Sequence, residues 1–144
     1  MIPRTVLIAF EPFGRELGAE RAGRALGRGL QVGDPSLGVE VSAIETPEGE
    51  NVRELLEALD FDRRMRAARA VVVGGENLDE RTLLGSATFE IATRARQAGV
   101  PAYAVTARND LSPFDARILD LQVILRAHST RALRRAGEKL AELV

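Results

Sequence analysis

The chain has 144 residues, 45% of them hydrophobic and 28% charged, with a formal net charge of −1 and no cysteine. That length suits one domain able to bury roughly 70% of its unfolded surface. The charge balance offers no overall basic field for nucleic acid or an anionic membrane, and the missing thiols exclude disulfides, thiolate nucleophiles and Cys-based zinc sites. In chain order, Thr5–Phe10 is a short apolar, β-branched run of the kind that forms a strand buried on both faces. Ala19–Leu30 carries Ala22, Ala25, Leu26 and Leu30 at helical spacing, with Arg21, Arg24 and Arg28 on the other face. Its glycines Gly23, Gly27 and Gly29 suit close packing or a helix end. After the turn cluster "QVGDPSLG", Val39–Ile44 reads as a second strand and "ETPEGEN" as its exit loop. Val52–Leu59 and Asp62–Ala68 read as two helical pieces broken near Asp60–Asp62, and Ala70–Val73 is the strongest strand signal. Beyond the loop "GGENLDERTLLG", Ser86 caps a helix to Ala98, where Gly99 and Pro101 end it. Ala102–Thr106 is a fourth strand, Ser112-Pro113 opens a short helix to Leu119, and Gln122–Arg126 is a fifth strand. Ser129 or Thr130 caps a final helix to about Leu143.

Strands alternating with helices predict right-handed βαβ units. The expected fold is a three-layer, doubly wound (Rossmann/flavodoxin-like) α/β domain with a mostly parallel sheet of about five strands spanning residues 1–144. The N-terminal apolar run is too short for a secretory signal, and no stretch approaches the roughly 20 apolar residues of a membrane span, so a cytoplasmic location is expected. Ligands of such sheets bind beyond the carboxyl ends of the strands. Here those exits gather Glu11, Glu45, Glu48, Glu50, Glu76, Asp79 and Asp110, with Arg15 and Arg108 as nearby cations. Carboxylates crowded at one rim repel unless a cation joins them, and magnesium with oxygen ligands such as Glu76 and Asp79 would serve. Gly74 and Gly75 suit either a tight strand-to-helix connection or close approach of backbone N–H groups to an anion. No phosphate-binding G-x-x-x-x-G-K-[ST] loop is present, and His128 has no partner at catalytic or metal-binding spacing.

Two family resemblances involve these exits. "FEPFG" resembles the opening loop of the pyroglutamyl peptidases, but a chain without cysteine lacks that family's nucleophile. The second is broader. "FDRRMRAARAVVVGGENLDERTLLGSATFEIATRARQAGVPAYAVTAR" resembles the C-terminal part of the bacterial glycerate kinases, with Leu78, Asp79, Thr82, Leu83 and Gly85 in step with that family's L-D, Q-T-L-x-G pattern. "LIAFEPFGRELGAERAGRALGRGL" is similar to its opening strand, D-S-F-K-G loop and first helix, and "TPEGEN" to its glycine-rich second loop. The resemblance implies ATP-dependent phosphorylation of D-glycerate with Mg2+, and a ligand site formed by Glu11, Phe13, Gly14, Arg15, Gly49, Glu50, Gly74, Gly75, Glu76, Asn77, Asp79 and Arg108. The departures fall on the chemistry. Glu11-Pro12-Phe13-Gly14-Arg15 stands where the family has D-S-F-K-G, so the loop lysine is gone and Arg15 is the nearby cation; Ser86 replaces the lysine of G-K-A-P, and the family's inserted second domain has no counterpart. Three readings follow: a catalytically impaired domain that binds a small carboxylate or phosphate, an active small kinase working as a dimer, or a non-catalytic assembly subunit. No catalytic residue is assigned; a homodimer is expected, and the surface that the missing domain would have occupied is expected to be either recoated with Arg and Glu or used in that homodimer.

Overall fold

The computed structural model describes residues 3–45, 51–83 and 85–144. Five parallel strands form one sheet in the order β2-β1-β3-β4-β5: β1 (Thr5–Phe10), β2 (Gly38–Ala43), β3 (Ala70–Leu78), β4 (Ala102–Asn109) and β5 (Leu121–Arg126). Side chains alternate across the sheet as strand geometry requires. Val6, Ile8 and Phe10 enter one core with α1 (Ala19–Gly33) and α6 (Thr130–Ala141). Leu7 and Ala9 enter the other, with α2 (Val52–Ala58), α3 (Phe61–Arg66) and α4 (Ala87–Ala98). This is the expected three-layer, doubly wound α/β fold. The connecting helix α5 (Pro113–Ile118) buries no residue.

Local signals explain most element ends. Ser86, Ser112 and Ser129 each accept a hydrogen bond from a backbone N–H of the first helical turn. Gly99, at φ 72°, ends α4 in the left-handed conformation. Asp60, at φ 52°, marks the break between α2 and α3. Three boundaries move by three residues or more. α1 continues past Leu30 to Gly33, β4 runs past Thr106 to Asn109, and β3 runs five residues past Val73 to Leu78. The shift in β3 matters for the site, because "GGENL" is strand rather than loop. Propensity argues against glycine and asparagine in a strand, but β4 supplies a full partner: Gly74 pairs with Val105, Gly75 with Thr106 and Asn77 with Arg108.

In a sheet of order 2-1-3-4-5 the chain reverses direction of winding between β1 and β3, and that is where the strand exits leave a crevice. Here the β1 exit is laid along β3. Glu11 N–H donates to Gly74 O at 2.8 Å and Glu76 N–H donates to Pro12 O at 3.1 Å, extending the ladder beyond β1 itself.

Candidate functional site at the strand-exit rim

The segment after β1 forms a tight loop. Phe13 N–H donates to Leu17 O at 2.8 Å, and the Phe13 ring tilts against Phe10 with centroids 5.0 Å apart, so the loop is anchored into the core. Gly14 has φ 111°, a conformation that disfavours any side chain with a Cβ, and it lets the chain turn beside Glu76. A Cβ placed on Gly14 would lie 3.7 Å from Glu76 Oε1, which locates that carboxylate against the loop.

The loop separates two clefts of opposite character. On its β3 side a cleft of 260 Å³ is lined by Glu11, Pro12, Glu76, Asn77, Asp79, Arg81 and Ser86. Glu11 is half-buried, and burial raises its carboxyl pKa above the usual 4.5. Asp79 Oδ1 accepts from the Arg81 N–H at 2.9 Å, shaping the turn that follows β3. The other side of the loop holds a 430 Å³ cleft with Arg15, Arg21, His128 and the start of α6 on its walls. Two arginines outnumber the one carboxylate there, Glu16, whereas in the first cleft the three carboxylates of Glu11, Glu76 and Asp79 outnumber Arg81.

The tertiary structure thus brings together Glu11, Glu76, Asn77 and Asp79 in one cleft and Phe13, Gly14 and Arg15 in the other. Gly49 and Glu50 lie outside the described residues. Gly74 and Gly75 line neither cleft; both are buried in β3. A Cβ on Gly74 would stand 1.9 Å from Val105 O, so glycine is required there for the approach of β4. Gly74 O accepts from Glu11 N–H, and Gly75 O from the buried Thr106 hydroxyl at 3.0 Å. The tight strand-to-helix connection expected of these glycines is not what the fold makes of them: they lie within the sheet, and close backbone packing requires glycine at position 74. Arg108 is exposed near the end of β4 and also lines neither cleft.

Arg21, Arg81 and His128 belong to the rim although sequence reasoning placed no ligand on them. His128 carried the one available signal, its position directly after β5. Arg21 falls on the polar face of α1, where a solvated role is the ordinary reading. Among the described residues no three His, Cys, Asp or Glu side chains form a metal-binding group. Beside the Arg81 guanidinium, the acidic cleft offers carboxylate, hydroxyl and amide oxygens, a set compatible with Mg2+, which needs as few as one or two carboxylates when phosphate and water complete its shell.

The sequence pattern of the glycerate kinase family matches residues 37–143, roughly three quarters of the chain. The chain belongs to the glycerate kinase family. The match starts just before β2, so β1 and its exit loop lie outside it. No curated protein matches the chain in sequence. Among solved structures, an oxidoreductase from Corynebacterium diphtheriae superposes with a TM-score of 0.59 at 13% identity, covering 100% of this chain and 98% of that one. At that identity the likeness is one of fold alone. The glycerate-kinase assignment therefore rests on the residues from β2 to α6, and the acidic half of the rim, apart from Glu11 and Pro12, lies within the matched segment.

Proposed function

We propose that this glycerate-kinase-family domain binds a small carboxylate or phosphate at the strand-exit rim and has lost efficient phosphoryl transfer. One observation carries the reading: the β1 exit loop stands at the crevice between β1 and β3 with carboxylates on one side and Arg15, Arg21 and His128 on the other. The anion is held by the cationic cleft, where arginine can bond two of its oxygens at once. Magnesium, if used, is held by Glu76 and Asp79, where it would neutralise charge on phosphate oxygens. Impairment follows from the absence of lysine at the rim, where the planar fork of arginine does not reproduce a lysine's point charge. Phosphoryl transfer depends on cations placed against the transferring group, each worth factors of roughly 10³ or more. The only lysine, Lys139, stands in the last turn of α6, at the end of that helix opposite the rim.

Calorimetric titration with ATP–magnesium and with D-glycerate tests this. Binding of one anion without turnover supports it, whereas phosphorylation of glycerate establishes the active-kinase reading instead. Glu76→Ala and Asp79→Ala should each weaken a magnesium-dependent ligand about tenfold, the size of one charge-assisted contact. Unchanged binding in both variants would remove these acids from the site.

A further inference from the structure

Beside the rim, α1 and α6 form a second feature. The two helices carry seven cations (Arg21, Arg24, Arg28, Arg131, Arg134, Arg135 and Lys139) against Glu20 and Glu138. That is a surplus of five positive charges on two helices of a chain whose formal net charge is −1, leaving a surplus of six negative charges on the remainder. Glycines force the helices together. A Cβ on Gly29 would lie 1.9 Å from Arg134 O, and one on Gly137 would lie 2.2 Å from Leu26 O. The backbones touch, so the arginine rows of both helices line one trough of 560 Å³, walled by Arg21, Arg24, Arg28, Arg131 and Arg134 with Glu20 at its side. Glu20 pairs with Arg24 at 3.0 Å; Arg21, Arg28, Arg131 and Arg134 make no ion pair among the described residues. The trough's one lining carboxylate, Glu20, is taken up by Arg24, so the other four guanidinium groups repel one another, and a multivalent anion relieves that repulsion.

We propose that the α1/α6 trough binds a linear oligophosphate, free or nucleotide-borne, at a site that adjoins the rim cleft and shares Arg21 with it. The shape favours this ligand. Arg21, Arg24 and Arg28 repeat along one face of α1 over about 10 Å, and Arg131 and Arg134 repeat beside them, so charge is met in a short line rather than over a broad surface. Duplex nucleic acid presents charge along a far longer axis and would meet the negative remainder of the chain. A membrane surface needs an apolar face to insert, whereas Leu26, Leu30, Leu133 and Leu140 are fully buried. The first turn of α6 opens at one end of the trough, but Ser129 already accepts from Ala132 N–H, so the site stands on the arginines.

The test is calorimetric titration with inorganic tripolyphosphate and with ATP, in wild type, Arg28→Gln/Arg131→Gln and Arg15→Gln. All three substituted arginines are exposed, and Arg15 lines only the rim cleft. The expected result is sub-millimolar tripolyphosphate binding that falls at least about tenfold in the double variant and is unchanged in Arg15→Gln. Equal affinity for ATP marks the nucleotide-borne form; a clear preference for tripolyphosphate marks the free one. Binding that is absent, is matched by sulfate at equal ionic strength, or survives the double substitution would overturn the proposal. Tighter binding to duplex DNA or to anionic vesicles would overturn it as well. A rim ligand lost in Arg15→Gln but kept in the double variant leaves the two sites distinguishable.

Discussion

Glu11 shows how a single residue couples fold and site. Its backbone N–H is spent on Gly74 O, which fixes the loop, while its side chain is pressed into the acidic cleft near Gly75. Burial disfavours the charged carboxylate, so the folded protein holds the proton more tightly than the unfolded chain does. The stability gained from that proton is fully present below the unfolded value and is lost as pH rises through the folded one. Glu11→Gln should therefore raise the melting temperature at neutral pH and flatten its fall between pH 4.5 and neutrality. Thermal unfolding across that range measures both, and a variant as pH-dependent as wild type would show that another group is responsible. Glu11 was legible as a rim acid because it directly follows an unmistakable strand. Gly74 was read less well: its glycine signal is real, but it answers to the carbonyl of Val105, a neighbour 31 positions away.

At the scale of elements, the packing of α1 on α6 is decided by two small residues. Alanine at Gly29 or Gly137 would gain about 1 kcal/mol of helix propensity. Contacts of 1.9 and 2.2 Å with partner backbone leave no flexible side chain to move aside, so overpacking wins. Gly29→Ala and Gly137→Ala should each lose about 2–3 kcal/mol in denaturant unfolding, and the double variant less than their sum because they strain the same interface. A stabilised Gly29→Ala would mean that the helices separate without cost. The caps at Ser86, Ser112 and Ser129 were readable because a serine meets its N–H partner three residues away. The extension of β3 was not, since its last five residues are held by β4 and by the β1 exit loop rather than by their own propensity.

For the whole molecule, net charge proves a poor guide to local field. A value of −1 hides a basic trough on α1/α6 and an acidic cleft beside β3. No described helix is long and apolar enough to cross a membrane. The edge of the sheet bears another uneven feature: Phe114 is 70% exposed and Ile118 42%, one turn apart on α5, which connects β4 to the edge strand β5. We propose that a homodimer of this chain covers that pair, on the β5 side of the sheet and not on the surface the missing domain would have occupied. Sedimentation velocity should then show a dimer that Phe114→Asp dissociates, while a monomeric wild type would end the expectation.

Local interactions wrote the element types, the helix caps, the parallel α/β class and the kinship with glycerate kinases into the order of residues, because periodicity, capping and motif spacing act over a few positions. Only the tertiary structure decided which exits share a cleft, that Gly74 and Gly75 belong to the sheet, and that arginines from the two ends of the chain line one trough. Those outcomes depend on strand order and on how closely two backbones approach, and both are set by contacts between residues distant in the chain.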